Sequence, residues 1–301
     1  MIIIISFFII LLNNVSTINM LKYENPITIV TAIWEIPSKH DHQQYEEWSH
    51  RFFSQKVPLI VFTSSSILHR YKKIRDDICN QCLTHWMIDY DLPSQLPMFE
   101  NITEDNWKNQ HDNDPERHIH KSYELYAIWI GKSWMLYWTS IHNIFKSEYF
   151  IWEDIGVFRS ASNPMIKDFD SIINNRIPIL DNLFINTDSH RILMSLQPES
   201  DYKISGGYIV GKYTGIQHFY MKMASIMFVM NKRNLFWGKD QILYLKLVII
   251  NLNEYFLFDP NIIMKYVPSI DPWFLFPYFI AQMKSPIFPD TFYDPDKMIV
   301  K

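Results

Sequence analysis

Glycine is scarce in this chain: only 7 of its 301 residues are glycine. Because glycine permits tight turns and close backbone approach more readily than any other residue, each position where it does occur is informative. The chain also lacks an excess of basic residues, since 28 Lys and Arg stand against 32 Asp and Glu, a formal net charge of −4. It therefore has no electrostatic footprint for nucleic acid, and no nucleic-acid partner is expected.

Cysteine is almost absent as well, and the two that occur are Cys79 and Cys82 in the sequence CNQC. A four-cysteine zinc site needs a second such pair, which the chain lacks. A redox-active CxxC is expected beside the start of a βαβ unit, which is not where this pair lies. The pair is therefore predicted to form a local disulfide or to stay as two free thiols.

The N-terminal apolar run, residues 1–12, ends at Asn13 and is too short to cross a bilayer, which takes about 20 apolar residues. Its length fits the central region of a signal peptide, although no basic residues precede it; a buried first strand is the alternative. We expect a leader over residues 1–19, a single domain over 20–301 and entry into the secretory pathway. There the sequon at Asn101 would accept a glycan, and any membrane association would depend on the N-terminal run.

Residues 26–65 have the pattern of a βαβ unit. The segments PITIVTAIWEI (26–36) and VPLIVFTSS (57–65) are apolar, β-branched runs typical of buried strands. Between them, Tyr45, Trp48 and Phe52 recur at helical spacing. With 48% hydrophobic residues the chain can bury a large core, so this unit predicts an α/β domain with parallel strands.

The central stretch is SEYFIWEDIGVFR, residues 147–159. It reads as a buried strand that ends on Glu153 and Asp154, followed closely by Gly156. Ionised carboxylates are costly to bury unless they are paired or bind a metal, and ligands of open α/β sheets bind at the carboxyl ends of the strands. We therefore expect Asp154, with Glu153, to hold a divalent cation against the diphosphate of a sugar nucleotide. The structural alternative is that these carboxylates cap the next turn or pair with Arg159.

The segment SGGYIVGKYTG, residues 205–215, contains four of the seven glycines. Gly206 and Gly207 precede an apolar run, which favours either a tight turn before a strand or a backbone that approaches a ligand closely. Further along, Asp240 and Gln241 open a long apolar helix. Asp240 fits an N-cap there, because the helix dipole favours an acid. It also fits hydrogen bonding to sugar hydroxyls, and both roles are compatible.

Three histidines, His111, His118 and His120, lie close together in the sequence. Their spacing does not place His118 and His120 on one face of a helix. We therefore interpret them as solvent-facing side chains rather than metal ligands.

Taken together, WEDIGVFR, SGGYIVG and GKDQ, with LYAIWIGKSWML before them, resemble motifs of the HtrL/YibB family, bacterial proteins assigned as glycosyltransferases that have eukaryotic and viral relatives. The resemblance covers roughly residues 26–280 and aligns Lys132 with a lysine in the helix before the acidic strand. That family is similar to the GT-A glycosyltransferases, which bind nucleotide sugars through a metal-bound Asp-x-Asp. Here Gly156 stands where the second aspartate would be, and no histidine follows His218.

The resemblance implies a GT-A-like, Rossmann-type α/β fold with a mixed, mostly parallel sheet flanked by helices. It implies transfer of a sugar from a nucleotide-sugar donor to a glycan, lipid or protein acceptor, with a divalent metal such as Mn²⁺ at Asp154. A non-catalytic carbohydrate-binding or interaction protein is the alternative, and a metal-dependent hydrolase with paired acids is the third reading. The residues assigned are Asp240 and Gln241 as catalytic, and Lys132, Glu153, Asp154, Gly156, Arg159, Gly206 and Gly207 as donor-binding.

Overall fold

A computed structural model describes residues 25–159, 180, 184, 190–197 and 204–259 of the protein. The predicted leader therefore lies outside the described residues. The described helices are α1 His42–Phe52, α2 Ser65–Cys79, α3 Glu104–Asp112, α4 Glu124–His142, α5 Tyr213–Lys232 and α6 Asp240–Ile250. The described strands are β1 Asn25–Ile33, β2 Leu59–Thr63, β3 Thr84–Met87, β4 Ser147–Glu153, β5 Ile192–Leu196, β6 Ile204–Lys212 and β7 Tyr255–Phe258.

The described strands form one seven-stranded sheet in the order β3-β2-β1-β4-β6-β5-β7. Strands β3, β2, β1 and β4 are parallel to one another, and β7 is parallel to β5. Strand β6 runs antiparallel to both of its neighbours, β4 and β5. The predicted α/β fold is confirmed: the sheet is mixed, mostly parallel and flanked by helices in a Rossmann-like arrangement.

Both faces of the sheet are covered. Helices α4, α5 and α6 pack on one face, together with Trp107 of α3, whereas α1 and α2 pack on the other. Residues of β4 alternate between the two layers, with Phe150 and Trp152 in the first and Tyr149 and Ile151 in the second. Burial on both faces explains why the strands read as continuous apolar runs rather than as alternating patterns.

The edge where β1 and β4 end is the part of the fold that positions the candidate site. Because β6 is antiparallel to β4, its first half lies at this same edge, with Tyr208 opposite Glu153. The backbone N–H of Asp154 continues the pairing by donating to the carbonyl of Gly207 at 3.1 Å. Helix α6 begins at Asp240 beside this edge, so three separate chain segments meet there.

The tight turn predicted as one alternative for Gly206 and Gly207 is not formed, since both residues lie within β6 and no described glycine has a positive φ.

Of the two alternatives predicted for the cysteines, the structure has the disulfide between Cys79 and Cys82. Asn101, the asparagine of the predicted glycosylation sequon, is exposed. None of the helices in the described part of the chain is long and apolar enough to span a membrane.

Candidate functional site

A cavity of about 400 Å³ opens at the carboxyl edge of the parallel strands. Its walls come from the segment after β1, the turn after β4, the first residues of β6, helix α4 and the start of α6. Of the nine residues predicted as site residues, eight line this cavity: Lys132, Asp154, Gly156, Arg159, Gly206, Gly207, Asp240 and Gln241. Segments far apart in sequence thus converge on one concave site, which is the usual form of a ligand-binding pocket.

Lys132 lies at the centre of this arrangement. It comes from the middle of α4, a helix that is apolar around most of its circumference, and it is only 2% exposed. Its Nζ donates to the carbonyl of Gly206 and to Oδ2 of Asp240, both at 2.9 Å, and lies 3.1 Å from Oδ1 of Asp154. An ammonium has three protons to donate, so these three acceptors satisfy the buried charge.

Electrostatics keep Lys132 charged. Burial by itself lowers the pKa of a lysine, but Asp154 and Asp240 together outweigh it, and the pKa of Lys132 is raised. For Asp240 the balance differs, because burial raises its pKa and the contacts with Lys132 oppose that effect. Each of these two buried charges is therefore stabilised by the other, and removing either side chain would leave its partner as an uncompensated buried charge.

Asp154 is the carboxylate that a ligand can reach. Its side chain is 37% exposed and lines the cavity, and Oδ1 accepts a hydrogen bond from Nε1 of Trp152 at 2.7 Å. The indole of Trp152 belongs to the buried core, so this bond fixes the carboxylate against a rigid support. The turn that follows is closed by a bond from the N–H of Val157 to the carbonyl of Asp154 at 2.9 Å.

Asp240 and Gln241 are the first two residues of α6 and are both buried. Lys239, not Asp240, is the N-cap residue, and it makes no side-chain cap bond. Oδ1 of Asp240 accepts from the N–H of Gln241, while Oδ2 accepts from Lys132, so both oxygens are engaged. Nε2 of Gln241 donates to the carbonyl of Ile204 at 3.2 Å, which ties α6 to β6.

Gly206 is required by the close approach of Asp240. A Cβ at position 206 would lie 2.1 Å from Oδ2 and 2.8 Å from the carboxyl carbon of Asp240. Gly156 is less crowded, because its Cβ would lie 3.2 Å from the ring of Trp48. The glycine at 206 therefore admits the carboxylate that holds Lys132, a contact the sequence alone did not indicate.

Glu153 does not belong to this site. It is fully buried, and its Oε2 accepts a hydrogen bond from Nε2 of Gln55 at 3.1 Å. Along β4, side chains alternate between the two faces of the sheet. Trp152 belongs to the core layer on the cavity side, so Glu153 faces the layer of α1 and α2 instead. The predicted partnership of Glu153 with Asp154 is not formed, and the alternation along the strand is the signal that separates them.

Two lysines that the sequence reading overlooked, Lys39 and Lys239, line the cavity with Lys132 and Arg159. Desolvation in the cavity, together with the guanidinium of Arg159, lowers the pKa of Lys39. Burial likewise lowers the pKa of Lys239, whose ammonium pairs with Glu116. The carbonyls of Phe158 and Arg159 accept hydrogen bonds from Arg51 of α1, which anchors the segment that carries Arg159. The cavity is thus lined by four cationic side chains beside three carboxylates, those of Glu116, Asp154 and Asp240, and the cations are the groups able to contact an anion.

A second polar cluster lies at the same cavity, formed by Asp114, Glu116 and His120. The prediction that the histidines face solvent is wrong for His120, which is 3% exposed, although His118 is exposed. Asp114 is followed by Pro115, a pair typical of turn initiation. The chain folds back there, with the N–H of Arg117 donating to the carbonyl of Asp114. That turn signal is what could have placed His120 near Asp114.

The surroundings of Asp154 do not match the ligand set of a divalent cation. Oδ1 of Asp154 accepts from an indole N–H and lies 3.1 Å from the ammonium of Lys132. A cation bound to that oxygen would lie against a buried positive charge. Within the described residues, three side chains of metal-binding type come together only at Asp114, Glu116 and His120, where their atoms lie within 4.8 Å of one another.

Comparison with models of known protein families finds no match to this chain, and comparison with curated protein sequences finds none either. The resemblance to the HtrL/YibB family therefore stays a prediction, as does the activity that it implies.

Proposed function

We propose that the protein is a glycosyltransferase that moves a sugar from a nucleotide-sugar donor to an acceptor. The observation that carries this proposal is the buried Lys132, bonded to Asp154, Asp240 and the backbone of β6 on one wall of a cavity at the carboxyl edge of the sheet. Nucleotides bind at this edge in open α/β sheets. Fixed positive charge is what a departing diphosphate needs.

The remaining cations extend this argument. A nucleoside diphosphate gains negative charge as the bond to its sugar breaks, and preorganised cations stabilise that charge without reorganisation. Lys39 and Arg159 line the same cavity as Lys132. The positive charges of Arg159 and Lys132 both lower the pKa of Lys39, so the three cations lie near one another. We assign Lys39 and Arg159 to the diphosphate, Lys132 to holding Asp154 and Asp240 in place, and the partly exposed carboxylate of Asp154 to hydroxyls of the donor.

Gly206, Gly207 and Gly156 line the cavity but are buried, and Gly206 makes room for the carboxylate of Asp240, so we assign these glycines to shaping the wall of the donor site. Asp240, whose two oxygens are both bonded, serves to hold Lys132 and to shape the sugar site rather than to accept a proton. Gln241 supports this arrangement through its bond to Ile204. The roles of Asp240 and Gln241 are therefore mainly positional.

A divalent metal such as Mn²⁺ at Asp154 is not included in this mechanism, because the donor set around that residue does not fit one. Lysine and arginine side chains supply the charge stabilisation instead. Residence in the secretory pathway depends on residues 1–19 and stays a prediction.

A non-catalytic carbohydrate-binding protein on the same scaffold is the second candidate. One observation favours it: Asp240, the acid assigned as catalytic from the sequence, has no oxygen free of hydrogen bonds. Such a protein would bind a donor and never release nucleoside diphosphate from it.

A thermal-shift screen of the full-length chain tests the proposal. The common UDP-, GDP- and CMP-sugars are each added in the presence of Mn²⁺ and, separately, of EDTA. A ligand that binds only the folded state at a hundredfold excess over Kd stabilises it by about 2.7 kcal/mol, which raises Tm by roughly 5 °C or more for a domain of this size. We expect one nucleotide class to raise Tm, equally in EDTA.

The matched variants are Lys39→Ala, at the cavity, and Lys73→Ala, an exposed lysine paired with Asp77 on α2. Hydrogen bonds to charged groups contribute about 1.5–3 kcal/mol, so Lys39→Ala is expected to weaken donor binding at least tenfold, whereas Lys73→Ala leaves it unchanged. If no donor raises Tm, the proposal fails. If a donor binds but no nucleoside diphosphate is released with any acceptor, the carbohydrate-binding candidate replaces it.

A further inference from the structure

The polar cluster at Asp114 and His120 lies at the same cavity as the proposed donor site but takes no part in it. Asp114 is fully buried, and its carboxylate accepts three hydrogen bonds. Oδ1 accepts from the N–H of Glu116 at 2.9 Å, and Oδ2 accepts from the hydroxyl of Tyr126 at 2.7 Å and from Nδ1 of His120 at 2.5 Å. This is a built and rigid arrangement, not a surface group of acids.

These bonds fix the tautomer of His120. Burial and the adjacent Asp114 raise the pKa of Tyr126, so its hydroxyl keeps its proton and acts as the donor. Asp114 then serves as the acceptor for Nδ1–H of His120, which leaves a lone pair on Nε2. Within the described part of the chain no hydrogen bond reaches that nitrogen, and His120 lines the cavity.

An aromatic wall stands beside this histidine. The ring of Trp129 lies 4.9 Å from the ring of His120 at 85°, and both side chains line the cavity with Ile128 and Leu125. A sugar ring has one face of C–H groups that packs on an indole through dispersion and loss of apolar surface to water, while its hydroxyls need polar partners. Trp129 and His120 together present both kinds of contact.

On these grounds, and resting on the proposed transferase function, we propose that His120, oriented by Asp114, is the general base for a hydroxyl of an acceptor sugar stacked on Trp129. Nε2 takes the hydroxyl proton as the acceptor oxygen bonds to the anomeric carbon of the donor. The bond from that carbon to the diphosphate oxygen breaks, and its electron pair leaves with the nucleoside diphosphate. A single displacement of this kind inverts the anomeric configuration. His120 is the catalytic residue, and Asp114 is a positioning residue.

The side chains of Asp114, Glu116 and His120 form an alternative metal site, since their ligand atoms lie within 4.8 Å of one another. The contacts that the structure has favour the dyad. Nδ1 of His120 and Oδ2 of Asp114 are bonded to each other, and Glu116 is paired with Lys239. Metal binding is therefore treated as an outcome of the test.

The test measures release of nucleoside diphosphate from the donor that raises Tm, with a panel of methyl glycosides as acceptors, in the full-length protein. A general base contributes about 10²–10⁴-fold, so His120→Ala should lower kcat at least about a hundredfold while the donor-induced Tm shift is kept. Added imidazole should restore part of the rate. The matched control is His118→Ala, two residues away and exposed, which should behave as wild type.

Asp114→Asn should lower kcat without changing KM for the donor, and imidazole should not rescue it, because the histidine is still present but loses its fixed tautomer. Trp129→Leu should raise KM for the methyl glycosides more than it lowers kcat. If His120→Ala keeps a kcat within a few-fold of wild type while donor binding is intact, the assignment of His120 as the general base is overturned. A rise in Tm with Zn²⁺ or Mn²⁺ alone that His120→Ala abolishes overturns the dyad in favour of a metal site.

The acceptor subsite is also tested without turnover. Methyl glycosides should quench part of the tryptophan fluorescence of the wild type, and Trp129→Leu should lose that part of the signal. If no glycoside changes the fluorescence or Tm, the subsite is overturned even where a donor binds. If glycosides bind but no donor does, the transferase function fails and the sugar subsite stands by itself.

Discussion

At the scale of single residues, the missing side chain at Gly206 sets the geometry of the site. The carboxylate of Asp240 occupies the space where a Cβ would lie, and that carboxylate holds Lys132 at 2.9 Å. We predict that Gly206→Ala displaces Asp240, destabilises the fold by about 1–3 kcal/mol and weakens donor binding. Urea unfolding and the donor-induced Tm shift measure the two effects.

Gly211→Ala on the same strand is the control for this prediction. Its Cβ would meet the apolar side chains of Ile192 at 2.6 Å and Ile216 at 2.9 Å, so it crowds the core and not the site. It should cost stability of a similar size and leave donor binding unchanged. Equal donor binding in Gly206→Ala and wild type would contradict the role given to this contact.

Lys39 gives the proposed donor site a pH dependence. Its pKa is lowered from the usual 10.5 by desolvation and by Arg159, so in the free protein it loses its proton earlier than an ordinary lysine as pH rises. A bound diphosphate favours the charged form and raises that pKa again. Binding is therefore linked to proton uptake, and donor affinity should fall as pH rises through the lowered pKa, at most about tenfold per pH unit for one proton.

Titration calorimetry at several pH values, in buffers of different ionisation enthalpy, measures this fall and the proton uptake. In Lys39→Arg the guanidinium keeps its proton throughout, so the same alkaline loss should disappear. An equal loss of affinity in Lys39→Arg would assign it to another group.

At the scale of elements, periodicity was a good guide wherever a helix or strand buries a regular face. The strands predicted over residues 26–36 and 57–65 correspond to β1 and β2, with ends that differ by a few residues, and the helical spacing of Tyr45, Trp48 and Phe52 between them corresponds to α1. By contrast, the segment 92–114 is polar and contains Pro93 and Pro97, a composition typical of a loop, yet it contains α3. That helix buries only Trp107 and Gln110 and starts at a capping box on Thr103, so it has little apolar periodicity to detect.

The residues that neighbour the glycine pair of β6 in sequence do not explain why glycine stands there. A glycine pair favours a turn when only neighbouring residues are considered. What excludes a side chain at 206 is Asp240, which is distant in sequence and arrives with α6. Glu153 is the opposite case, because strand alternation alone assigns it to the face away from Trp152.

The capping box at the start of α1 should make a measurable contribution to the free energy of unfolding. Oδ1 of Asp41 accepts from the N–H of Gln44 at 2.8 Å, and the Gln44 side chain accepts from the N–H of Asp41 at 3.2 Å, which completes a capping box. We predict that Asp41→Ala lowers the free energy of unfolding by about 1 kcal/mol.

Asp76→Ala on α2 is the matched control, since it removes an exposed i,i+4 partner of Lys72 and no cap. Exposed pairs of this kind contribute within about 0.5 kcal/mol. Chemical unfolding of both variants compares them directly, and a loss in Asp41→Ala no larger than that in Asp76→Ala would contradict the capping role.

At the scale of the whole molecule, the site exists because Lys132 joins four parts of the fold. Its ammonium connects α4 to the end of β4, to β6 and to the start of α6. The residue types and their approximate places were predictable, because acids and glycines at the ends of elements stand out in an apolar chain. Their mutual contacts were not, because they depend on β6 running antiparallel to β4, which only the assembled sheet determines.

We therefore predict that Lys132 contributes to global stability and not only to ligand binding. Lys132→Met leaves the buried Asp240 without its partner, which should lower the free energy of unfolding by about 3–5 kcal/mol. Adding Asp240→Asn removes the stranded charge, so the double variant should be less destabilised than the sum of the single variants by about 0.5–3 kcal/mol. Additive losses in urea unfolding would show that the pair is not coupled.

The pH dependence of wild-type stability provides a second check on the same pair. Because the folded-state pKa of Lys132 is raised above 10.5, its contribution should be fully present below that pH and be lost as pH rises through the folded-state value. Lys132→Met has no such group, so its unfolding free energy should fall less steeply than that of wild type above pH 10.5. Parallel curves for the two proteins would assign the alkaline loss to the other lysines and tyrosines, and the ion pair at the centre of the site would then not be what holds these four elements together.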